Sequence, residues 1–225
     1  MIIYEDASVD ATPDIALDFA DQAPFPVRFF RNNERADSSQ TFEKAIRQCT
    51  GDIIFLCDQD DVWYPNKIAL IQERFIARPD AGAVFTNGDV VDENLYPLGQ
   101  LWKLFKFNLL KGTSTDSERR CLSVFFKHPV VTGATMTFRS CYRNLVLPIL
   151  DIWHDAWISL LIGATLSLDI LPVPLIAYRQ HRTNQFGIPL RCRNRGKTCK
   201  EIYEPQAQRY EMALKRLLSG RLVLR

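Results

Sequence analysis

Three carboxylates in four residues, Asp58-Gln59-Asp60-Asp61, follow the apolar run Ile53 to Cys57 and precede Val62-Trp63. Like charges crowded at one point repel, and folding alone does not call for them. A hard divalent cation relieves the repulsion, because Mg2+ and Mn2+ prefer oxygen ligands. A strand over Ile53 to Cys57 puts the cluster at its carboxyl end, where α/β folds collect ligands. A metal there can bridge diphosphate oxygens and act as a Lewis acid toward a departing nucleotide. The competing reading is a solvated acidic loop before a helix whose N-terminus favours Asp.

The elements around the cluster read as alternating strands and helices. Ile2 to Tyr4 is a short apolar run, and Thr12-Pro13 starts a helix with Ile15, Ala16 and Phe19 on one face. Val27 to Phe30 is the next strand. Phe42, Ala45, Ile46 and Cys49 recur at helical spacing, and Gly51 stands as the helix-ending glycine. The unbroken run Ile53 to Cys57 predicts a strand buried on both faces. Pro65 opens a helix with Ile68, Ile71, Phe75 and Ile76 inward, and Ala83 to Thr86 is a further strand. Residues 97–128 suit an amphipathic helix or a mobile flap. Val130 to Phe138 reads as a strand around Gly133, and a helix starting near Asp155 carries Trp157, Ile158, Leu161 and Ile162. Pro172 and Pro174 limit Leu168 to Tyr178 to short edge strands. Gln206 to Leu218 predicts a helix with Tyr210, Ala213, Leu214 and Leu217 on one face. The alternation predicts an α/β domain with a mostly parallel sheet flanked by helices.

Composition narrows the class. The chain has 225 residues, and its formal net charge of +2 hides a division. Residues 1–181 carry net −6 and residues 182–225 carry net +8. The uncharged stretch Ala156 to Leu168 would span roughly 20 Å as a helix, short of a hydrocarbon core of about 30 Å. No basic segment followed by an apolar one opens the chain, so no secretory signal is visible. Cys49, Cys57, Cys121 and Cys141 sit among apolar residues and read as buried thiols. Cys192 and Cys199 flank a basic loop without the company zinc needs. A reduced, cytoplasmic protein follows. The basic segment lacks the aromatics and fold motif of a specific nucleic-acid binder. It suits anionic lipid headgroups at the inner face of the plasma membrane.

The segment from Gly51 through Asp58-Gln59-Asp60-Asp61-Val62-Trp63 to Ile68 resembles the DxD region of family 2 glycosyltransferases. It is most similar to the bacterial rhamnosyltransferase-like members that build surface polysaccharides. Further resemblances follow in the family's order over residues 1–187. Glu5-Asp6-Ala7-Ser8 resembles the acidic turn that helps hold the nucleotide base, with Glu5 for Asp and Ala7 for Gly. Thr41-Phe42-Glu43-Lys44-Ala45-Ile46 resembles the Asn-Phe-x-x-Ala-Ile helix, with Thr41 for Asn. Val131-Thr132-Gly133-Ala134-Thr135-Met136 resembles the glycine segment beneath the donor sugar. His154-Asp155-Ala156-Trp157 resembles the acidic segment that carries the base, and Tyr178 to Gly187 the segment that closes the domain.

The resemblance implies a GT-A fold over 1–187, with 188–225 as a basic C-terminal extension. It implies inverting, metal-dependent transfer of a sugar from a UDP-, dTDP- or GDP-linked donor to a saccharide or lipid-linked acceptor. Asp58, Asp60 and Asp61 would hold Mg2+ or Mn2+, and His181 resembles a late histidine that approaches the metal. Glu5, Asp6, Ser8, Asp58 and Gly133 would bind the nucleotide sugar. By position Asp155 is a helix N-cap; by resemblance it is the catalytic base. His154 reads as a packed or hydrogen-bonded neighbour. The family opens with one more strand and helix than this chain shows, and that strand lies centrally in its sheet. The resemblance therefore leaves two expectations: an active transferase with a longer front, or a shortened, non-catalytic relative that binds or scaffolds.

Overall fold

The structure, a computed structural model, describes residues 1–105, 107, 132–150, 153–165, 168–181, 184 and 199–220. The expectations for 108–131, including Cys121, and for the basic loop with Cys192 lie outside these residues.

The chain opens with strand β1 (Ile2–Glu5), helix α1 (Thr12–Gln22), strand β2 (Arg28–Arg31) and helix α2 (Ser38–Gln48). Strands β3 (Ile53–Phe55) and β4 (Val62–Trp63) flank the acidic loop, and α3 (Lys67–Ala77) follows. Then come β5 (Ala83–Val91), β6 (Pro97–Gln100) and the short α4 (Leu101–Leu104). A 3-10 turn at Gly133–Thr135 leads into β7 (Met136–Arg139). Among the described residues a 3-10 turn at Ser140–Tyr142 follows, then α5 (Arg143–Val146), α6 (His154–Ala164), β8 (Leu168–Arg179) and α7 (Cys199–Gly220).

The α/β class stands, and the sheet is mixed rather than mostly parallel. β5 and β8 pair in parallel, but β7 runs antiparallel between β3 and β5, and β4 and β6 are antiparallel to their partners. β1 and β2 form a separate parallel pair that shares no ladder with the larger sheet. β3 is the end strand of that sheet, with only Ile54 fully buried, so the run Ile53 to Cys57 is not covered on both faces. β8 exceeds its expectation, running twelve residues despite its prolines. Its register against β5 breaks between Thr86 and Asn87, moving from Leu171 to Pro174. Pro172 and Val173 therefore carry no ladder position, and the missing proline N–H costs the sheet nothing.

The main core joins α6 to the sheet: Trp157, Ile158, Leu161 and Ile162 pack with Phe85, Met136 and Phe138. Trp157 is fully buried and donates Nε1 to the carbonyl of Val146 at 2.8 Å, so its polar edge is matched. Phe42 and Cys49 pack against this core, and the buried Ile46 is part of it. α2 is capped by Asp37, whose carboxylate accepts from the Gln40 N–H at 2.8 Å, and it ends at an extended Cys49 rather than at Gly51. Cys57 and Cys141 are exposed and Cys49 is half-buried, so the three described thiols are not the sealed core residues expected. Cys57 stands past the end of β3, in the loop rather than the sheet.

α3 faces inward with Lys67, Ile71 and Phe75, a stripe at i, i+4 and i+8, while Ile68 and Ile76 point outward. An ammonium in that stripe needs partners. Lys67 Nζ donates to the carbonyl of Ala134 at 2.7 Å and lies 4.2 Å from the centre of the Trp63 ring. Burial still pulls its pKa down to about 8, against the pull of neighbouring acids.

α7 packs against the main core. Ala213 is buried in the main core, and Met212 and Leu217 pack on it, although Leu214, expected inward, is exposed. Arg216 donates Nε to Leu145 O at 3.0 Å and Nη2 to Asn144 O at 2.6 Å and to Leu147 O, serving carbonyls at the end of α5.

Two outcomes follow. Ala213→Glu buries an unmatched carboxylate and costs roughly 2–3 kcal/mol, read as a lower urea midpoint for the single unfolding transition; an unchanged midpoint would make α7 detachable. Lys67 carries a charge penalty in the folded state below its folded pKa, and the unfolded chain takes up the proton to a higher pH. Metal-free stability relative to Lys67→Met therefore rises between about pH 8 and the ordinary lysine value near 10.4. A flat difference over that window would contradict the buried charge.

Candidate active site

Strand pairing brings the site together. Because β7 runs antiparallel to β3, the beginning of β7 lies beside the end of β3, with Phe55 opposite Thr137. The Gly133–Thr135 turn thus abuts the acidic loop. β4 pairs with the far end of β8, Val62 opposite Ala177, so Tyr178 and Arg179 meet the other side of the same loop.

Within the loop each carboxylate has its own surroundings. Asp61 Oδ1 accepts the Arg179 N–H at 2.9 Å, and Oδ2 is buried without a hydrogen-bond partner among the described residues. Burial, partly opposed by that N–H and reinforced by Asp58 and Asp60, raises its pKa to about 7. Asp58 is also raised, first by burial, with Asp60 and Asp155 adding to it and Lys67 opposing. Asp60 Oδ2 meets His181 Nε2 at 3.0 Å and accepts from Asn184 Nδ2 at 3.0 Å. Tyr178 is pushed upward first by burial and then by the negative charge of Asp61, Asp58, Asp60 and Asp155.

On the opposite side, Asp155 is the second residue of α6, one past His154, and Trp153 holds the N-cap position without a side-chain bond. Asp155 is therefore not the cap. Its Oδ2 accepts the Gly133 N–H at 3.1 Å, and its Oδ1 accepts the Ala156 N–H at 2.6 Å. Gly133 is required by its neighbour: a Cβ there would stand 2.6 Å from His154 Nε2. His154 stacks on Phe42 with ring centres 3.9 Å apart.

The β1 end forms its own network. Ser8 donates its backbone N–H to Glu5, and Arg31 Nε pairs with Glu5 at 2.8 Å. Burial pushes the Glu5 carboxyl up, but these partners outweigh it and hold it low. Ser8 O accepts from Arg31 at 2.8 Å. Asp6 Oδ1 accepts from Asn32 Nδ2 at 2.7 Å and from the Ala36 N–H at 2.8 Å, and Lys44 Nζ donates to Asn32 Oδ1 at 2.6 Å. Ala7 sits at φ 54, the left-handed region that suits glycine.

The structure thus unites Asp58, Asp60, Asp61, Gly133, Asp155 and His181 around one loop. Glu5, Asp6 and Ser8 lie in the separate β1 network, joined to α2 through Asn32 and Lys44. Lys67, Asn32 and Tyr178 escaped the sequence reading. A lysine at the inward spacing of Ile71 and Phe75 was the visible signal for the first.

A divalent cation fits this donor set in kind, since carboxylate oxygens and an imidazole nitrogen suit Mg2+ or Mn2+. Among the described residues no group of three or more His, Cys, Asp or Glu side chains converges to hold a metal. The adjacent Asp60 and His181 offer two ligands. That number matches cations bound by one or two protein groups and completed by substrate phosphates.

No described helix is long and apolar enough to cross a membrane. An uncharacterized glycosyltransferase of Nostoc sp. is 30% identical over 95 residues, covering 42% of this chain and 29% of that protein. In structure the chain resembles S. aureus TarS 1–349 with a TM-score of 0.54 and 14% identity, covering 79% of this chain and 50% of TarS. It also resembles a mannosyltransferase of Pyrobaculum calidifontis in complex with GDP-Man and Mn2+, with a TM-score of 0.50 and 20% identity over 77% of this chain and 45% of that one. The chain spans less than a third of its curated relative and about half of TarS. The fold is that of the GT-A glycosyltransferases. Residues 1–139 match Glycosyl transferase family 2, and the chain belongs to that family.

Proposed function

We propose that the chain transfers a sugar from a nucleoside-diphosphate donor to a hydroxyl of a saccharide or lipid-linked acceptor with inversion at the anomeric carbon. The observation that carries this is Asp155, held on the Gly133 N–H within electrostatic reach of Asp58. Both oxygens of Asp155 accept backbone N–H groups, which fixes the carboxylate in orientation, and each oxygen keeps a second lone pair. In the displacement, Asp155 takes the proton of the acceptor hydroxyl as that oxygen bonds to the anomeric carbon. The bond from that carbon to the diphosphate oxygen breaks on the opposite face. Asp60 and His181 would hold Mg2+ or Mn2+, with Asp58 and Asp61 beside them. When bound, the cation would neutralise charge on the departing diphosphate. Asn184 orients Asp60. The Glu5–Asp6–Ser8 loop, stiffened by Arg31 and Asn32, would serve the nucleotide base.

The neighbours support the donor class. One TarS structure is in complex with UDP, and the mannosyltransferase is in complex with GDP-Man and Mn2+. The repulsion among Asp58, Asp60 and Asp61 supports a cation independently.

Calorimetry with UDP, GDP and dTDP plus Mn2+, followed by transfer assays, tests the roles separately. Asp60→Ala abolishes the Mn2+-dependent part of nucleotide binding. Asp155→Asn leaves binding within about twofold and lowers transfer by about 10²–10⁴-fold. Full turnover by Asp155→Asn would remove Asp155 as the base.

A further inference from the structure

The hairpin between β5 and β6 turns through Asp92 to Tyr96. Asp92 shapes it. Its N–H donates to Tyr96 O at 2.9 Å and its carbonyl accepts the Leu95 N–H at 3.1 Å. Its Oδ1 accepts the Asn94 and Tyr96 N–H groups, each at 2.9 Å. This network closes the turn without help from any large apolar side chain, yet Leu95, Tyr96 and Leu98 stand 46%, 68% and 58% exposed. Leu95 also takes φ 69, the left-handed region that suits glycine or asparagine rather than leucine. From α4, Leu104 is 39% exposed, and its Cδ1 lies 3.8 Å from where a Cβ on Gly99 would stand. These four side chains share one hairpin and the helix beside it, and the fold does not cover them.

The hairpin leaves the sheet at the end where the acidic loop sits. Val91 pairs with Arg179, whose N–H Asp61 accepts, and Val91 O accepts the Gln180 N–H at 2.8 Å. The chemistry of the surface selects what covers it. Three leucines offer nothing to the hydroxyls of a saccharide. Charge is sparse: the exposed Glu93 and Lys103 balance in sign, and Asp92 Oδ1 is engaged inside the turn. A tyrosine among aliphatic side chains with little net charge matches the boundary between lipid headgroups and hydrocarbon, where Tyr is enriched. The exposed Ile15, Leu17 and Phe19 of α1 differ, because the exposed Asp14, Asp18 and Asp21 lie among them and headgroup phosphates repel carboxylates. We propose that Leu95, Tyr96, Leu98 and Leu104 seat the chain on a lipid bilayer, with the acidic-loop end of the sheet toward the membrane. The seat rests on this surface alone; that it serves an acceptor carried in the bilayer rests on the reading above.

The test is flotation of the full chain with vesicles of phosphatidylcholine, alone and with phosphatidylglycerol added, beside nucleotide calorimetry with Mn2+. The variants are Tyr96→Ser/Leu98→Ser and, as a control on the other exposed apolar face, Ile15→Ser/Phe19→Ser. The wild type is expected to bind both kinds of vesicle. Tyr96→Ser/Leu98→Ser binds them at least about tenfold more weakly and keeps its nucleotide affinity, while the control binds vesicles as the wild type does. Leu98→Trp keeps the test readable if the serine variant fails to fold: its emission shifts to the blue when vesicles are added, relative to the wild type. Wild-type protein that binds neither vesicle, an unshifted Leu98→Trp, full binding by the folded serine variant, or an equal loss in the control would each overturn the proposal. Binding that requires phosphatidylglycerol would assign the contact to the basic residues and overturn it as well. Self-association that the serine variant abolishes, without vesicle binding, would make the hairpin a protein interface instead. Vesicle binding as expected in a chain that binds no nucleotide would remove the donor reading and leave the seat standing.

Discussion

The turn Gly133–Thr135 is gripped from two helices at once. Lys67, reaching up from α3, donates to the carbonyl of Ala134. Asp155, at the start of α6, accepts the N–H of Gly133. His154, on the same helix, presses against Gly133 so closely that no side chain fits there. The turn is a joint: its position depends on both helices, and the acidic loop beside it is placed by the β3–β7 pairing that the turn begins. A shift at any of these contacts moves Asp155 relative to Asp58.

Charge follows from that geometry. Asp58, Asp60, Asp61 and Asp155 share one region, and burial with mutual repulsion raises Asp58 and Asp61. Lys67 is the buried cation within reach of Asp58 and Asp61, and its own pKa is lowered by burial, so it relieves the repulsion only in part. The site is left with a surplus of negative charge, the condition under which a divalent cation and its diphosphate ligand bind as a unit. Asp61 divides its two oxygens between tasks, one fastening the loop to β8 at Arg179 and the other buried without a hydrogen-bond partner among the described residues.

Much of this was legible in the residues. The apolar run ending in three carboxylates placed a site at a strand end, and the helix starting near Asp155 was visible from Trp157, Ile158, Leu161 and Ile162. The strand directions were not legible, because hydrophobic runs do not report whether a neighbour is parallel; β7 enters antiparallel and makes the sheet mixed. Pro172 and Pro174 suggested a break in β8, whereas Pro172 and Val173 bulge out of the ladder with β5 and Pro174 pairs with Asn87. Lys67 shows its inward spacing with Ile71 and Phe75, but the acceptor that matches its charge, the carbonyl of Ala134, lies 67 residues away in sequence. Asp155 looked like a cap from its position near a helix start, and only the place of Gly133 gives its carboxylate another partner.

Residues at the joint are useful only if their spacing is kept, so the smallest disturbance there is the most informative. Adding one methyl group at Gly133 would meet His154 Nε2 at 2.6 Å and push the turn away from α6. The direct measurement is the calorimetric affinity of Gly133→Ala, with Mn2+, for whichever nucleotide sugar the wild-type chain binds, on protein whose circular dichroism matches the wild type. The joint predicts a loss of at least about tenfold, or 1.4 kcal/mol. Wild-type affinity in a folded Gly133→Ala chain would contradict it.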